Sequence, residues 1–497
     1  MTENHRSTIQ PGITLLGLGP GDPTALTRRA WDWLAGIDKL YLRTVHHPTV
    51  TSLPAHLTLV SFDDLYESHD DFEDVYEAII EEILALGKTA SVTYAVPGHP
   101  FVAEATCPEI ARRAAAAGIP VVVIDGLSFL EPTFRALHID PFPDLVLADA
   151  IQVSQRQTPG FPPSTPALIA QIYDRDVAAE VKLTLMAAYP DEHPVRLVHA
   201  AGTDDEVVED LPLYAIDQGQ GLGLLSSLYI PPLSPGASLE AFQEVIARLR
   251  APDGCPWDRE QTHLSLRPFL LEEAYETLDA LDREDMDDLA EELGDLLLQI
   301  VLHSQIATEE GDFNIHHVLE GIGLKLIRRH PHVFSEVEVA GVDGVIRNWE
   351  QIKAEERQGH SDDTHNGLLN GVPAALPALS QAQQIIERVR RVGFKHLAVL
   401  GDPQVIRDML DTVEDAEGEA QKQVLGELLL GVTGLAYKAD IDAESALRVA
   451  LTRFRTRFGA MEASALASGR ALMDLSAEDL DRLWQTAGDS GHNEVDG

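Results

Sequence analysis

The sequence predicts a multi-domain chain: an N-terminal α/β domain followed by all-α helical domains. Three observations predict it. Up to about residue 230, β-branched apolar runs alternate with helical patterns, as expected of an α/β domain with a substantially parallel sheet. Pro231-Pro232-Leu233-Ser234-Pro235-Gly236 then interrupts the pattern. Beyond it the β-branched runs nearly vanish and long amphipathic patterns take over. With 497 residues, 44% of them hydrophobic, the chain can bury several cores.

Taken in order, a polar segment (1–12) precedes the α/β domain (13–230). Strands are expected at 13–17, 57–61, 90–95, 120–124, 144–147, 182–186 and 196–199, where apolar β-formers cluster. Helices are expected at 24–36, 72–86 and 107–117, where the apolar period lengthens. A linker (231–239) leads to a first helical domain (240–357). A polar, Gly-containing linker (358–372), a second helical domain (373–488) and an acidic tail (489–497) complete the chain.

Charge excludes whole classes of partner. There are 81 Asp+Glu against 37 Lys+Arg, a formal net charge of -44, which repels nucleic acid and anionic membrane surfaces alike. No apolar run reaches the ~18 residues of a membrane span. The first ten residues are polar, and Cys107 and Cys255 are the only cysteines. A reducing, cytoplasmic location is therefore expected. Lysine is scarce, eight against 29 arginines, so each lysine near an acidic cluster is of interest.

Such a cluster exists in the first helical domain. Glu272, Glu273 and Glu276 are followed by Glu292 and Asp295. Carboxylates at i, i+3 or i+4 share one helical face. Two such faces on antiparallel helices would confine four or five carboxylates, which repel unless protonated or bridged by cations. Leu270, Leu271, Tyr275 and Leu278 form an apolar stripe beside the first set, and Leu289, Leu293, Leu296, Leu297 and Ile300 one beside the second. The polar turn 282–287 is short enough to force an antiparallel pair. Hard divalent ions suit such a site and usually engage substrate phosphates. In so acidic a chain the bland alternative is a solvated acidic face.

The α/β domain carries three Gly-rich loops at strand ends: Gly17-Leu18-Gly19-Pro20-Gly21-Asp22-Pro23, Val96-Pro97-Gly98-His99-Pro100 and Asp125-Gly126-Leu127-Ser128-Phe129. On consecutive βα units they would converge at one cleft. Together they resemble the tetrapyrrole (corrin/porphyrin) methylase family over roughly residues 13–230. The resemblance implies S-adenosylmethionine binding between two α/β lobes, at Gly17, Gly19, Pro20, Gly21, Asp22, Pro97, Gly98 and His99. Many active methylases carry a GDP-like loop where this chain has Gly98-His99-Pro100, which puts methyl transfer in doubt.

The helical part resembles the MazG family of nucleoside triphosphate pyrophosphohydrolases. The segments are Leu249 to Asp258 (LRAPDGCPWD), Gln261-Thr262-His263, the two carboxylate segments, Arg328 to Phe334 (RRHPHVF) and Trp349 to Lys353 (WEQIK). The fusion of the two types is similar to the YabN architecture. The resemblance implies Mg²⁺, with Mn²⁺ as the alternative, held by Glu273, Glu276, Glu292 and Asp295. It implies that Glu272 ligates or orients the attacking water. Lys325, Arg329 and Lys353 would contact phosphates, with Trp349 packed near the nucleotide. Surface cations around a core Trp are the alternative for that set. His330 and His332 are expected to shape a helix end, and Cys255, Pro256 and Trp257 a structural turn. Helical families of this kind pair subunits, so a homodimer through the helical domains is expected.

Residues 373–488 look like a second MazG copy without its site. Pro377-Ala378-Leu379, Val392-Gly393-Phe394 and Arg453 to Phe458 keep the pattern. Where the carboxylates belong stand Arg407-Asp408-Met409-Leu410-Asp411 and Val424-Leu425-Gly426-Glu427. Hydrolysis of a nucleoside triphosphate between the α and β phosphates is thus expected in the first copy, with the second structural. The alternatives are a S-adenosylmethionine-dependent methyltransferase with a helical accessory, and a nucleotide-sensing module without turnover.

Overall fold

The computed structural model describes residues 11–69, 71–335, 337–359, 368–394 and 400–490. The N-terminal segment, the second linker and the acidic tail therefore lie partly outside the described residues. Two compact units form, Met1–Glu260 and Gln261–Gly497. The first unit extends past the expected boundary at 240, to Glu260.

The first unit holds two sheets. Strands β1 (Gly12–Gly17), β2 (Lys39–Leu42), β3 (Thr58–Ser61), β4 (Ser91–Val96) and β5 (Val121–Ile124) make an all-parallel sheet in the order β3-β2-β4-β1-β5. Its inner strand β1, between β4 and β5, is buried along Ile13 to Gly17, as parallel strands covered on both faces must be. Helix α1 (Phe72–Thr89) packs Val75, Ile79 and Ile83 against it, joined by Cys107 and Ile110 of α2 (Thr106–Ala116). The second sheet comprises β6 (Val146–Asp149), β7 (Ala167–Ala170), β8 (Pro194–His199), β9 (Val207–Pro212) and β10 (Ser226–Ile230), in the order β6-β7-β10-β8-β9. Only β6 and β7 pair in parallel there, so the expectation of a substantially parallel sheet holds for the first lobe alone.

One expected strand is a helix. Residues 182–186 alternate like a strand, yet they close α3 (Arg175–Met186). The Asp174 carboxylate caps its start by accepting from the Val177 amide, and Ala178, Val181 and Leu185 supply a buried helical stripe.

Under the first Gly-rich loop lies a buried imidazole. His47 hydrogen-bonds with the Gly19 backbone, while its Nδ1 has no partner among the described residues. Burial pushes its pKa down to about 4, against a smaller opposing effect of the Gly19 bond. Above about pH 6.5 both folded and unfolded chains hold it neutral. As pH falls below that, the unfolded chain takes the proton first, and stability is lost until about pH 4. The loss should be roughly 2–3 kcal/mol. We expect the melting temperature of the first unit to fall across this window and that of His47→Gln to fall less; equal slopes would contradict it.

The second unit is helical throughout its described residues. Helices α4 (His263–Arg283), α5 (Met286–Glu310), α6 (Ile315–Arg329) and α7 (Gly341–Gly359) fall in the expected first helical domain; α8 (Ala378–Arg391), α9 (Pro403–Asp415), α10 (Gly418–Lys438), α11 (Ala443–Ala467) and α12 (Ala477–Ser490) follow it. The two groups of helices touch: Arg448 of α11 pairs with Asp282 of α4.

Candidate metal centre

The site is built by one helical hairpin. Thr262 caps α4 in a capping box with Ser265, each side chain bonding the other's backbone amide. At the far end Glu284 adopts the left-handed conformation, φ 55°, and Asp285 caps α5 by accepting from the Asp288 amide. The turn between helices is therefore Glu284–Asp285 alone, tighter than the expected 282–287. So short a connection leaves only an antiparallel packing.

Antiparallel packing lays the two acidic segments side by side. Oxygens of Glu273, Glu276 and Glu292 lie within 4.8 Å of one another. Partial burial raises the Glu273 carboxyl above its ordinary range, and the charges of Asp295, Glu276 and Glu292 raise it further. Glu292 is raised likewise, by burial first and then by Glu276, Asp288, Asp295 and Glu291. Its Oε2 is buried without a hydrogen-bond partner among the described residues, which leaves it available to a ligand. Hard oxygens, mutual repulsion and an orphaned acceptor together suit a divalent cation. Asp295, the fourth expected ligand, is not in that converging group, although its charge acts on both Glu273 and Glu292.

Glu272 differs. It is exposed and follows the helix about 100° away from Glu273, outside the converging trio. Asp288 and Glu291 were not singled out in the sequence, although their charges act on Glu292. Their spacing on one helix was the available signal, hidden by the abundance of acids.

The cationic set is brought together in part. The Trp349 ring has the Arg329 guanidinium 5.5 Å from its centroid and Lys353 Nζ 4.6 Å from it, within cation–π range. Glu356 accepts from Arg329 Nη2 at 2.5 Å and from Arg328 Nε at 2.7 Å. These arginines hold the Glu356 carboxyl down to about 2. Glu356 was missed in the sequence; its place on α7, i+3 from Lys353, was the clue. Lys325 is exposed one turn before Arg329. Helix α6 touches both α5 and α7, linking the acidic hairpin to the Trp349 helix. His330 sits at the end of α6, where its ring donates to the Leu326 carbonyl (2.8 Å), as expected.

Arg407–Asp411 and Val424–Glu427, the segments expected to correspond in a second copy, lie on α9 and α10. Among the described residues the converging acidic group of the first copy is not repeated there.

The three Gly-rich loops of the first unit do converge. Gly19 and Gly98 exchange backbone hydrogen bonds of 3.2 and 2.8 Å. A Cβ on Gly17 would lie 2.5 Å from the Gly98 carbonyl and 2.6 Å from the Gly126 amide, so only glycine permits the crossing. Gly19 and Gly98 have φ of 75° and 67°. Asp22 caps the next turn through the Thr24 amide at 2.7 Å, and His99 Nε2 lies 3.5 Å from Asp125. A cavity of about 190 Å³ lined by Val102, Ala103, Phe129, Asp149 and Gln171 opens in the same unit.

Comparison with known proteins agrees with both halves. Residues 12–217 match the family model of tetrapyrrole (corrin/porphyrin) methylases, and residues 261–334 that of the MazG nucleotide pyrophosphohydrolase domain. The chain is 39% identical over 485 residues to "Uncharacterized protein YabN" of Bacillus subtilis (strain 168), covering 96% of this chain and 98% of that protein. It is 39% identical over 253 residues to the nucleoside triphosphate pyrophosphohydrolase/pyrophosphatase MazG of Thermotoga maritima, covering 51% of this chain and 96% of that protein. Against a nucleoside triphosphate pyrophosphohydrolase of Escherichia coli (strain K12) it is 39% identical over 257 residues, covering 50% and 95%. The chain thus belongs to the MazG family, in the fused form that carries a tetrapyrrole methylase domain ahead of the MazG region.

Proposed function

We propose that the chain is a metal-dependent nucleoside triphosphate pyrophosphohydrolase whose active copy is α4 to α7. The observation that carries this reading is the convergence of Glu273, Glu276 and Glu292 with an orphaned Glu292 oxygen. Glu273, Glu276, Glu292 and Asp295 would hold Mg²⁺ or Mn²⁺. When bound, the metal would neutralise triphosphate charge and acidify a water. Glu272, solvent-accessible beside the ligands, orients the water and takes its proton. A bond forms from the water oxygen to the α phosphorus, the bond to the bridging oxygen breaks, and pyrophosphate leaves a nucleoside monophosphate. Lys325, Arg329 and Lys353 bind phosphates, with Arg329 oriented by Glu356 and Trp349 beside the nucleotide.

The helical unit exposes apolar faces that favour pairing. Leu271 is 56% exposed, Leu293 51%, Ile322 48% and Leu324 56%. Exposed large apolar side chains in such number favour an interface, and we propose that a second copy of the chain covers them. No described helix is long and apolar enough to cross a membrane.

The deciding experiment is a panel of nucleoside triphosphates assayed for pyrophosphate with and without Mg²⁺. Release of pyrophosphate and monophosphate in equal amounts is expected. Release of inorganic phosphate alone would overturn the cleavage position.

A second reading rests on the three converging loops. The methylase domain would bind S-adenosylmethionine at Gly17, Gly19, Pro20, Gly21, Asp22, Pro97, Gly98 and His99. The 190 Å³ cavity is smaller than the roughly 300–1,000 Å³ of small-molecule sites, so the cofactor would extend beyond it. Titration calorimetry with S-adenosylmethionine on the full chain tests this reading, and absence of heat would dismiss it.

A further inference from the structure

Two side-chain bonds cross from α4 to α5 and bracket the acidic residues. Beside the turn, Arg283 donates to Asp288. At the open end of the hairpin, His263 Nδ1 and His303 Nδ1 lie 2.7 Å apart, although 40 residues separate them in sequence. Glu273 and Glu276 fall between the two ties on α4, and Glu292 and Asp295 fall between them on α5. The imidazole planes are within 6° of parallel and the ring centroids are 5.0 Å apart. With the nitrogens at 2.7 Å, that separation sets the two rings head-on in one plane.

A head-on contact of this kind has room for one proton. One ring donates its N–H and the other must offer a bare lone pair. Glu310 Oε2 lies 3.8 Å from His263 Nε2, which suits His263 as the donor and leaves His303 as the acceptor. Burial, and then the charge of His263, push the His303 imidazole below its ordinary value. Other charged or titratable groups at this end engage elsewhere or face solvent. Arg267, one turn along α4 from His263, is exposed, and Glu309 accepts from Gln305. On α6, which touches α5, His316 and His317 stand in the first turn, with the His317 ring bonded to Asn314.

We infer that His263 and His303 are positioning residues of the metal centre: a bond limited to one proton holds the open end of the α4–α5 hairpin closed, and a second proton opens it. The inference rests on the ligand set proposed above. Neither imidazole reaches the carboxylates, since His263 stands about 15 Å along α4 from Glu273. They act through helix spacing, which sets how closely the oxygens of the two helices converge on one ion. The sign follows from His303. Its folded form resists the second proton, so closure is complete above about pH 6.5 and is lost as pH falls below that value.

The test takes the full chain from about pH 7.5 to about pH 5.5 and makes two measurements. Nuclear magnetic resonance of isotope-labelled histidines, without metal, reads the protons of the pair. Calorimetry reads Mn²⁺ affinity. His303 should stay neutral, coupled through Nδ1 to the His263 proton, while ordinary imidazoles take up charge. Acid weakens Mn²⁺ binding in any variant, because the carboxylates protonate too. The loss should be about fivefold larger in the native chain than in His303→Asn, whose amide oxygen accepts the His263 proton at either pH. His303→Leu, which offers no acceptor, should bind Mn²⁺ more weakly than native at both pH values. A merely structural role would shift both variants alike and leave the pH slope unchanged. Equal slopes in the native chain and His303→Asn overturn the inference, as do two imidazoles that titrate independently. A shared proton in a chain that binds no Mn²⁺ at either pH supports the clasp and overturns the ligand set instead.

Discussion

Glu273→Gln should lower metal-dependent pyrophosphate release by about 10³-fold or more, equivalent to about 4 kcal/mol of transition-state stabilisation. The substitution keeps shape and removes one negative oxygen ligand from the converging group. Hard cations bind through charge, so one lost carboxylate weakens both occupancy and the activation of water. The same change should have the opposite effect on the metal-free fold. Glu273 is raised by burial and by its acidic neighbours, so its charge destabilises the folded state, and neutralising it relieves the repulsion. The variant should therefore melt higher than the native chain in chelator and gain less from added Mg²⁺. Asp295→Asn should behave alike. Activity and melting temperature measured on the same samples decide the matter. Full activity in Glu273→Gln would remove the proposed ligand set.

Ile322→Glu should split the proposed homodimer and take most of the activity with it. Ile322 is 48% exposed on α6, beside exposed Val318, Leu319 and Leu326 at helical spacing. A buried, unpaired carboxylate at a helical interface costs several kcal/mol, enough to shift a micromolar dimer wholly to monomer. Sedimentation should give twice the chain mass of 54.3 kDa for the native protein and the single mass for the variant. A native protein that sediments as a monomer would refute the pairing.

Much of this was legible before any coordinates. The hairpin could be read from two acidic segments, apolar stripes and a short polar turn, since helical period and turn length are local properties. The Gly-rich loops were legible because positive φ and backbone crossings demand glycine. Strands β2, β7, β9 and β10 were not picked out. The alternation at 182–186 misled because three buried apolar residues at helical spacing and the Asp174 cap outweigh it. In an acidic chain the spacing of Asp288 and Glu291, and of Glu356 from Lys353, was a signal too weak to stand out among solvated acids.

The sequence by itself determined that an α/β domain precedes a helical region, and which acidic residues could ligate a cation. Capping, periodicity and residue chemistry act over a few residues, so a linear pattern records them. Only the tertiary structure decided that Glu273, Glu276 and Glu292 meet while Glu272 stands aside, and that Glu356 grips Arg329. It also decided that His263 and His303 meet across the hairpin. Those outcomes depend on helix rotation and packing, where a turn of 100° moves a charge from cluster to solvent.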